Sequence, residues 1–530
     1  WDGWSPQPLD SEIPRNGAPN PWPAAVVEDL THRYFNEAAR QLGATETNDF
    51  IHSPLHTALR QRIAEKINTV TDAVPLASLP NHPGAPRSGP PVEQTQEMLE
   101  LLGLRPTSGS PPPLPNLLDL AKLEAPLAVQ SRARTGSLPF NKFSAMPLLV
   151  KAARQAYKDS GGDDVKKALM VVPKCHVKRL LTANGRVTGV ETEQGTVPVP
   201  ANGVVILALG TIESTRLAKL SFGDIPSALW MGQNLMAHLR SNLDIRIPRA
   251  ALPPDLPEQL QTSALFLKGE HRYSDGTRGH FHLQITASGL GPSGADAEQE
   301  LFNRIPAPDQ LRQFATADEQ SVVIAIRAIG EMEPRNPNNN VTLDLNPAEN
   351  DEFGIRRAYV NLQASEKDKE LWAAMDRASD EVAKIFAHGQ DFEVFTPRGI
   401  VRAVATEDLS SILPYTPKND TNHPGRRDGL GATHHEAGTL WMGADPDRSV
   451  TNADGRFHFV ENAYVTGAAL FPTIGSPSPM LTSVALVRRL ADQLIPPAPL
   501  SVKEAGFKSL FDGTEKTFNR WKKAGRGDFA

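Results

Sequence analysis

The sequence lacks the features of several protein classes. Its one cysteine, Cys175, excludes an intrachain disulfide and is compatible with either the cytoplasm or a periplasm. The net charge of -6 provides no basic surface for nucleic acid. Apolar runs are also short, since none approaches the roughly 18 residues of a membrane span. We therefore expect no nucleic-acid partner and no membrane-spanning segment.

Common catalytic motifs are absent as well. The chain contains no G-x-S-x-G elbow of a serine hydrolase. His435-Glu436 begins like the zinc motif H-E-x-x-H, but Thr439 stands where the second histidine is required, so we predict no metal site. Residues 289–294 spell G-x-G-x-x-G, but the polar residues after them indicate a glycine-rich loop rather than a dinucleotide turn.

The stretch from Gly431 to Thr482 carries the strongest functional pattern. A histidine pair, His434 and His435, precedes a Gly-Thr turn, and a short apolar strand is predicted over Ala463–Val465. A proline-punctuated loop then leads into an apolar helix predicted over Ser483–Leu494. Because a helix N-terminus offers unpaired N–H groups, this order of elements suits an electron-rich or anionic ligand.

A second ligand-binding pattern precedes residue 217. Strands are predicted over Ala168–Val172, Val177–Thr182 and Arg186–Glu193, the last two joined by an Asn-Gly hairpin turn. The apolar run Val204–Leu209 is typical of a fully buried strand, and Gly210 and a helix start follow it. A buried strand that leads into a Gly-then-helix turn is the general dinucleotide-binding arrangement.

The remaining segments show simpler patterns. Helices are predicted over Ala24–Leu42 and Pro54–Ile67. Residues 80–115 are rich in proline and glycine around a short helix, Gln94–Leu102, and form either a surface excursion or a disordered insert. Residues 240–420 alternate strand patterns with one long helix, Asp368–Phe386, as in a sheet domain.

These motifs together resemble the glucose-methanol-choline (GMC) flavin oxidoreductases. The resemblance covers His435 to Thr439, Val465 to Ala469, Phe471-Pro472-Thr473 and Ser478 to Thr482. The sequence departs from the family pattern at two positions: Gly467 replaces an Asp, and Ser478 replaces the second catalytic residue, Asn or His. A further family element, Gly-x-Asn-Leu-x-x-His, resembles Gly232 to His238, where we interpret His238 as a packing residue.

The resemblance implies an FAD cofactor and an α/β (α+β) fold, with an incomplete FAD-binding Rossmann-like domain and a β-sheet substrate-binding domain. It implies that His435 is the base, that Ser478 and His434 assist it, and that an alcohol transfers hydride to the flavin. Oxygen or another electron acceptor would then reoxidise the flavin. The residues expected to contact FAD are Trp1, Asp2, Val177, Gly210, Thr211, Gly467, Ala468, Pro479, Met480 and Thr482.

The domain prediction follows the same resemblance. Residues 1–168 would hold a flavin-loop remnant with the helical and proline-rich excursion, 169–240 part of the FAD-binding domain, and 241–420 the substrate-binding sheet domain. Residues 421–495 would complete the FAD-binding domain with the catalytic histidine. Residues 496–530 would hold a linker and the start of a truncated lectin-like domain.

The predicted substrate is a small-molecule alcohol or sugar. Residues 506–514 resemble the opening strand of a lectin-like 3-keto-glycoside hydrolase, which favours a glycoside hydroxyl, most of all at C3. The glycine-rich turn that binds the FAD pyrophosphate in this family is absent from the 530 residues. We therefore expect the chain alone to bind FAD poorly, and a non-catalytic fragment or binding module remains the alternative.

Overall fold

Helices and sheets are mixed in this protein, with 34% helix and 23% strand, which confirms the α+β class. The structure, a computed structural model, describes residues 4–14, 20–44, 51, 53–86, 88–104, 111–128, 143–291, 295–304 and 310–495. The predicted FAD contacts Trp1 and Asp2 and the predicted tail domain lie outside the described residues.

The described part of the chain begins with helices, continues with strands and helices in alternation, and ends with a helix. The α-helices are α1 (Ala24–Asp29), α2 (Phe35–Leu42), α3 (Pro54–Lys66), α4 (Pro91–Leu101), α5 (Leu114–Ala121), α6 (Met146–Asp159), α7 (Gly210–Ser221), α8 (Ala295–Arg304), α9 (Leu311–Phe314), α10 (Glu366–Ala387) and α11 (Met480–Leu494). The strands are β1 (Val177–Ala183), β2 (Arg186–Thr192), β3 (Gly195–Pro198), β4 (Val205–Leu207), β5 (His238–Pro248), β6 (Gln261–Arg272), β7 (Arg278–Gly289), β8 (Ser321–Glu331), β9 (Asn340–Leu343), β10 (Ala358–Asn361), β11 (Phe392–Thr396), β12 (Gly399–Ala403) and β13 (Ala463–Val465).

The N-terminal helices largely match the sequence patterns. A π-helical turn, Leu30–Tyr34, joins α1 to α2 without a break, as the single predicted helix required. Ser53 caps α3 by accepting a hydrogen bond from the N–H of His56, and Pro54 occupies its first position. The proline-rich region contains α4, which was predicted, and the first two residues of α5, which was not.

A six-stranded antiparallel sheet forms the centre of the fold, in the order β12-β11-β5-β8-β7-β6. Residues directly opposite each other on antiparallel strands point to the same face. One face carries Leu239, Leu243 and their apolar neighbours, and it packs against α10. There the indole of Trp372 donates a hydrogen bond to Ser241.

The other face of this sheet is polar although it is largely buried. Its side chains come from the alternate positions of four neighbouring strands: His238, Arg240, Asn242, Glu331, Arg327, His280, His282, Gln284, Glu270 and Lys268. The glycine-rich sequence 289–294 follows β7, and the next strand, β8, is antiparallel to β7. Helix α8 begins at Ala295, where the sequence predicted no crossover helix, but the antiparallel pairing means that the connection is not a βαβ unit.

Two strand predictions were wrong. Residues 168–172 form no strand, and the predicted strand Val204–Leu209 shrinks to β4, in which Ile206 is 43% exposed. The run is apolar throughout, but β4 has only one described neighbour, β13, which pairs with it in parallel. The hairpin between β1 and β2 is confirmed, since Asn184 and Gly185 both have positive φ, as a type I′ turn requires.

The chain divides into two compact units, residues 1–489 and 490–530. Of the second, the structure describes residues 490–495, and α11 ends at Leu494. None of the described helices has the length and apolarity of a membrane span.

Candidate active site

Two loops at one edge of the β4–β13 pair form the frame of the site. Because the strands run in parallel, their carboxyl ends meet at the same edge. Gly210 begins α7 shortly after β4, and Gly467 follows β13. The segment 438–442 is fixed to the second loop by hydrogen bonds from Gly438 N–H to Ala468 and from Leu440 N–H to Ala469.

Gly438 allows the histidine segment to approach the rest of the fold closely. Its φ is +89°, and a Cβ at this position would lie 2.5 Å from the carbonyl oxygen of Asn234. The next residue, Thr439, is buried, and its hydroxyl lies 2.6 Å from that of Thr215 on α7. The Gly-Thr turn therefore fixes the backbone that carries His435.

His435 and His238 form the central contact of the site. Their Nδ1 atoms lie 2.9 Å apart, and their rings meet edge to face at 89°. Nε2 of His238 lies 2.8 Å from the carbonyl oxygen of Gly475. Because a carbonyl only accepts, His238 carries its proton on Nε2, and its Nδ1 accepts the Nδ1 proton of His435. Nε2 of His435 is therefore unprotonated and can accept a proton.

Both histidines are held neutral. Burial lowers the pKa of His435 to about 3, with further lowering from His238, Arg240 and His434. Burial also lowers the pKa of His238 to about 4, against the opposing effects of the Gly475 carbonyl and Glu12. The fixed tautomers are therefore the forms present at neutral pH.

The structure places the two assisting residues differently. Ser478 is 2% exposed, and its hydroxyl has no hydrogen-bond partner among the described residues. His434 is exposed, lies at a φ of +55°, and lowers the pKa of His435 through its charge. Ser478 thus offers a free hydroxyl inside the protein, whereas His434 lies towards solvent.

The predicted cofactor residues fall into two groups. Gly467, Ala468, Pro479, Met480 and Thr482 belong to the loop after β13 and the first turn of α11. Val177, Gly210 and Thr211 belong to β1 and the start of α7. The two groups are connected through Thr211, whose hydroxyl donates a 2.5 Å hydrogen bond to the carbonyl of Glu436, next to His435.

The N-terminal segment supports the loop that orients His238. Glu12 is fully buried; it accepts hydrogen bonds from the N–H and the hydroxyl of Ser476, and it pairs with Lys268 at 2.6 Å. Burial alone would raise the pKa of Glu12, but the charges of Lys268 and His280 and the hydrogen bonds lower it to about 2. Glu12 is therefore ionised at neutral pH, and it lies beside Gly475.

Sequence reasoning missed the role of His238 and the polar sheet face. His238 was interpreted as a packing residue, but its ring contacts that of His435. The alternation His238, Arg240, Asn242 along β5 was visible in the sequence as a polar residue at every second position. The alternation therefore predicts that β5 has a polar face. It does not predict that this face lies next to His435.

Comparison with known proteins finds a family model that matches the part of the chain that carries His435. The GMC oxidoreductase family model matches residues 335–486, which include His434, His435, Ser478 and the start of α11. This stretch is a GMC oxidoreductase domain. The predicted resemblance is confirmed, and GMC oxidoreductases use FAD as their cofactor. No curated protein matches the chain at a significant level.

Two solved structures match the chain at low identity. Pyridoxine 4-oxidase from Mesorbium loti is 18% identical, over 70% of this chain and 65% of that one, with a TM-score of 0.38. A formate oxidase from Aspergillus oryzae RIB40, solved to show the effect of a mutation on FAD modification, is 17% identical, over 62% and 61%, with a TM-score of 0.39. The chain spans less than two thirds of the length of these two proteins.

The residues of the GMC oxidoreductase domain fit a flat, electron-rich ring. Gly467 has a φ of +85°, and no atom lies within 4 Å of the position of a Cβ, so the space beside it is open. The unpartnered hydroxyl of Ser478 and the unpaired N–H groups at the start of α11 border the same loop. An FAD ring with carbonyl and nitrogen acceptors would satisfy these donors.

Proposed function

We propose that this chain is the catalytic part of an FAD-dependent oxidoreductase that oxidises an alcohol, with His435 as the base. The observation that carries the proposal is the hydrogen-bond chain from Gly475 through His238 to His435. This chain leaves Nε2 of His435 free to accept the proton of a substrate hydroxyl. A positioned base of this kind contributes typically 100-fold or more to a rate.

In the reaction, the substrate hydroxyl donates a hydrogen bond to Nε2 of His435 and loses its proton to that atom. When FAD is bound, it supplies the acceptor for the hydride that leaves the carbon. His238 remains neutral and continues to accept the Nδ1 proton, so the new positive charge on His435 keeps a hydrogen-bond partner. Ser478 would donate a second hydrogen bond to the substrate oxygen.

The proposed cofactor contacts follow the two groups of residues. Gly467, Ala468, Pro479, Met480 and Thr482 would lie along the reactive ring, and Val177, Gly210 and Thr211 along the nucleotide half. Thr211 supports this division, because its bond to Glu436 connects the nucleotide side to the segment that carries the base. Trp1 and Asp2 are proposed at the ring on the family resemblance alone.

For the substrate we propose a sugar or glycoside ring hydroxyl, with C3 favoured, and oxygen or another acceptor as the final oxidant. The support is the resemblance of residues 506–514 to a 3-keto-glycoside hydrolase. Such a hydrolase is useful beside a domain that makes the keto sugar, because a fused domain raises the effective concentration of the intermediate.

The test is a comparison of substrates with the FAD-loaded enzyme and a dye acceptor. We expect glucosides to reduce the dye and methanol, choline and aryl alcohols to do so far less. His435→Ala, assayed in parallel, separates enzymatic from background reduction. Reduction by the simple alcohols and by no sugar would overturn the substrate proposal, and reduction by neither in a flavin-loaded preparation would overturn the function itself.

A further inference from the structure

A cavity of about 580 Å³ lies between the N-terminal segment, the proline-rich region and strand β6. The proline-rich region lines it with residues between 80 and 94, and a second wall comes from residues between 118 and 126. Phe266 and Lys268 of β6 line the side of the central sheet. Small-molecule sites occupy roughly 300–1,000 Å³, so the cavity has the size of a ligand site. The sequence left the role of the proline-rich region open, and the structure shows that this region lines the cavity.

The cavity is separate from the site that carries the base. His435, His238 and Ser478 are not among its described lining residues. Strand β6 is the edge strand of the central sheet and lies three strands from β5, which carries His238. At the usual strand spacing this separation is about 14 Å. A molecule in the cavity is therefore a second ligand, distinct from the alcohol at His435.

His82 offers this cavity an unpaired donor. Its side chain lines the cavity, is 8% exposed, and accepts a 3.1 Å hydrogen bond on Nδ1 from the N–H of Gly84. The proton of the neutral ring is therefore on Nε2, which has no hydrogen-bond partner among the described residues. Burial lowers the pKa of His82, against the opposing charge of Glu124, so the ring is neutral at pH 7. A buried N–H of this kind costs stability unless an acceptor pairs it.

The charged side chains that line the cavity already have partners of opposite charge. These ion pairs are Lys122 with Asp119, Glu124 with Arg60, and Lys268 with Glu12. Because each charge is compensated within the protein, the described lining offers neither an anion nor a cation a free counter-charge. Transfer of an unpaired charge from water into such a cavity is costly. The cavity therefore favours a neutral ligand.

Most of the buried lining is apolar. Its buried apolar side chains include those of Pro6, Leu79, Ala85, Ala121, Phe266 and Leu481. A sugar would bury most of its hydroxyls against these groups, which is costly. An aromatic molecule buries few polar atoms, and its ring gains from contact with the ring of Phe266. The lining therefore favours an aromatic ring over a sugar ring.

We propose that this cavity binds a neutral aromatic molecule whose hydroxyl or carbonyl oxygen accepts a hydrogen bond from Nε2–H of His82. The aromatic ring contacts Phe266 and the apolar lining, while the oxygen pairs the donor that no described residue pairs. This second site is independent of alcohol oxidation at His435, because different residues define it.

Equilibrium dialysis of the chain against four two-ring compounds tests this site. We expect 2-naphthol to bind about tenfold more tightly than naphthalene, because naphthalene leaves the His82 donor unpaired. 2-Naphthoate should bind about tenfold more weakly than 2-naphthol because its charge must be buried, and the saturated ketone 2-decalone about threefold more weakly because it lacks an aromatic ring. His82→Phe should lower the affinity for 2-naphthol to that for naphthalene, and His82→Gln, which keeps a donor, should recover part of the difference. The matched control is His423→Phe, at an exposed position, which should change neither affinity.

Several outcomes would overturn the assignment of this site. Equal affinities of the wild-type chain for 2-naphthol and naphthalene would do so, as would tighter binding of 2-naphthoate or 2-decalone. Binding of 2-naphthol that His82→Phe leaves intact, while circular dichroism shows a folded variant, would place the ligand elsewhere. If His82→Phe does not fold, nitrogen NMR of the histidine-labelled wild-type chain decides, because 2-naphthol must then shift the Nε2 resonance of His82 more than naphthalene does. None of these measurements involves turnover or FAD, so failure of the proposed function would leave their result unchanged.

Discussion

The carboxylate of Glu12 accepts two hydrogen bonds from Ser476, a residue 464 positions later in the chain. Its other oxygen pairs with Lys268, and the side chains of Glu12 and Lys268 are buried. The N-terminal segment, strand β6 and the loop after β13 therefore meet at one negative charge. Because Ser476 follows Gly475, the same charge stabilises the carbonyl that orients His238.

Removing this charge should cost much of the protein's stability. We expect Glu12→Gln to lower the free energy of unfolding by about 3–5 kcal/mol, because it leaves the buried Lys268 ammonium without a counter-charge. The contribution of Glu12 is present above its unfolded pKa of 4.5 and is lost as the pH falls towards 2. Denaturant titration measures the change. Asp391→Ala, which breaks an exposed pair with Arg402, is the control, with an expected loss below about 1 kcal/mol. Equal losses in the two variants would contradict this account.

Substitutions of the neighbouring residues His434 and His435 should have unequal effects on turnover. His435→Ala should lower the turnover of the FAD-loaded enzyme by about 100-fold or more and leave the flavin bound. His434→Ala should do less, because that side chain is exposed and affects the base only through its charge. Steady-state kinetics with flavin absorbance measure both effects. Wild-type turnover in His435→Ala would assign the base to another residue.

His238 should act as a positioning residue. His238→Leu removes the acceptor for Nδ1–H of His435 and frees the ring to adopt the wrong tautomer, so we expect a loss of about tenfold or more in kcat. His238→Asn retains an acceptor and a donor and should recover part of that loss. Turnover as low in the Asn variant as in the Leu variant would show that only ring packing matters.

The lowered pKa values predict the behaviour of the enzyme in acid. With folded pKa values of about 3 and 4, His435 and His238 stay neutral well below 6.5, so kcat/KM should remain level on the acid side down to about pH 5. In the unfolded chain both groups take up protons below 6.5, so their contribution to stability falls as the pH drops from 6.5 towards 4. An activity limb centred near 6.5 would contradict the burial of the base.

Ser478 and Ser476 make a matched pair for substitution. We expect Ser478→Asn to retain flavin and activity, because the Ser478 hydroxyl has no partner to lose among the described residues and an amide can donate to the substrate oxygen. Ser476→Asn should be harmful, because the Ser476 hydroxyl bonds to Glu12. Flavin content and kcat measure both effects, and equal tolerance at the two positions would be inconsistent with this assignment.

Local sequence patterns predicted several helices and strands of the fold. They did not predict which residues far apart in the chain contact each other. Strand β13 has the bounds that its apolar run predicted, and the Asn184-Gly185 hairpin formed as its turn residues required. The contact between His238 and His435 joins residues 197 positions apart, and no local signal reports such a distance.

The parallel pairing of β4 with β13 has a consequence for the order of folding. Val205 and Ala463 pair directly, yet the whole six-stranded sheet lies between them in the chain. During synthesis, the antiparallel strands β5 to β8 can pair with their neighbours as they emerge. Strand β4, in which Ile206 is partly exposed even in the folded protein, cannot pair with β13 until that strand has been synthesised. The carbonyl of Gly475 emerges later still, so a nascent chain orients its base only after the strands of the sheet have been synthesised.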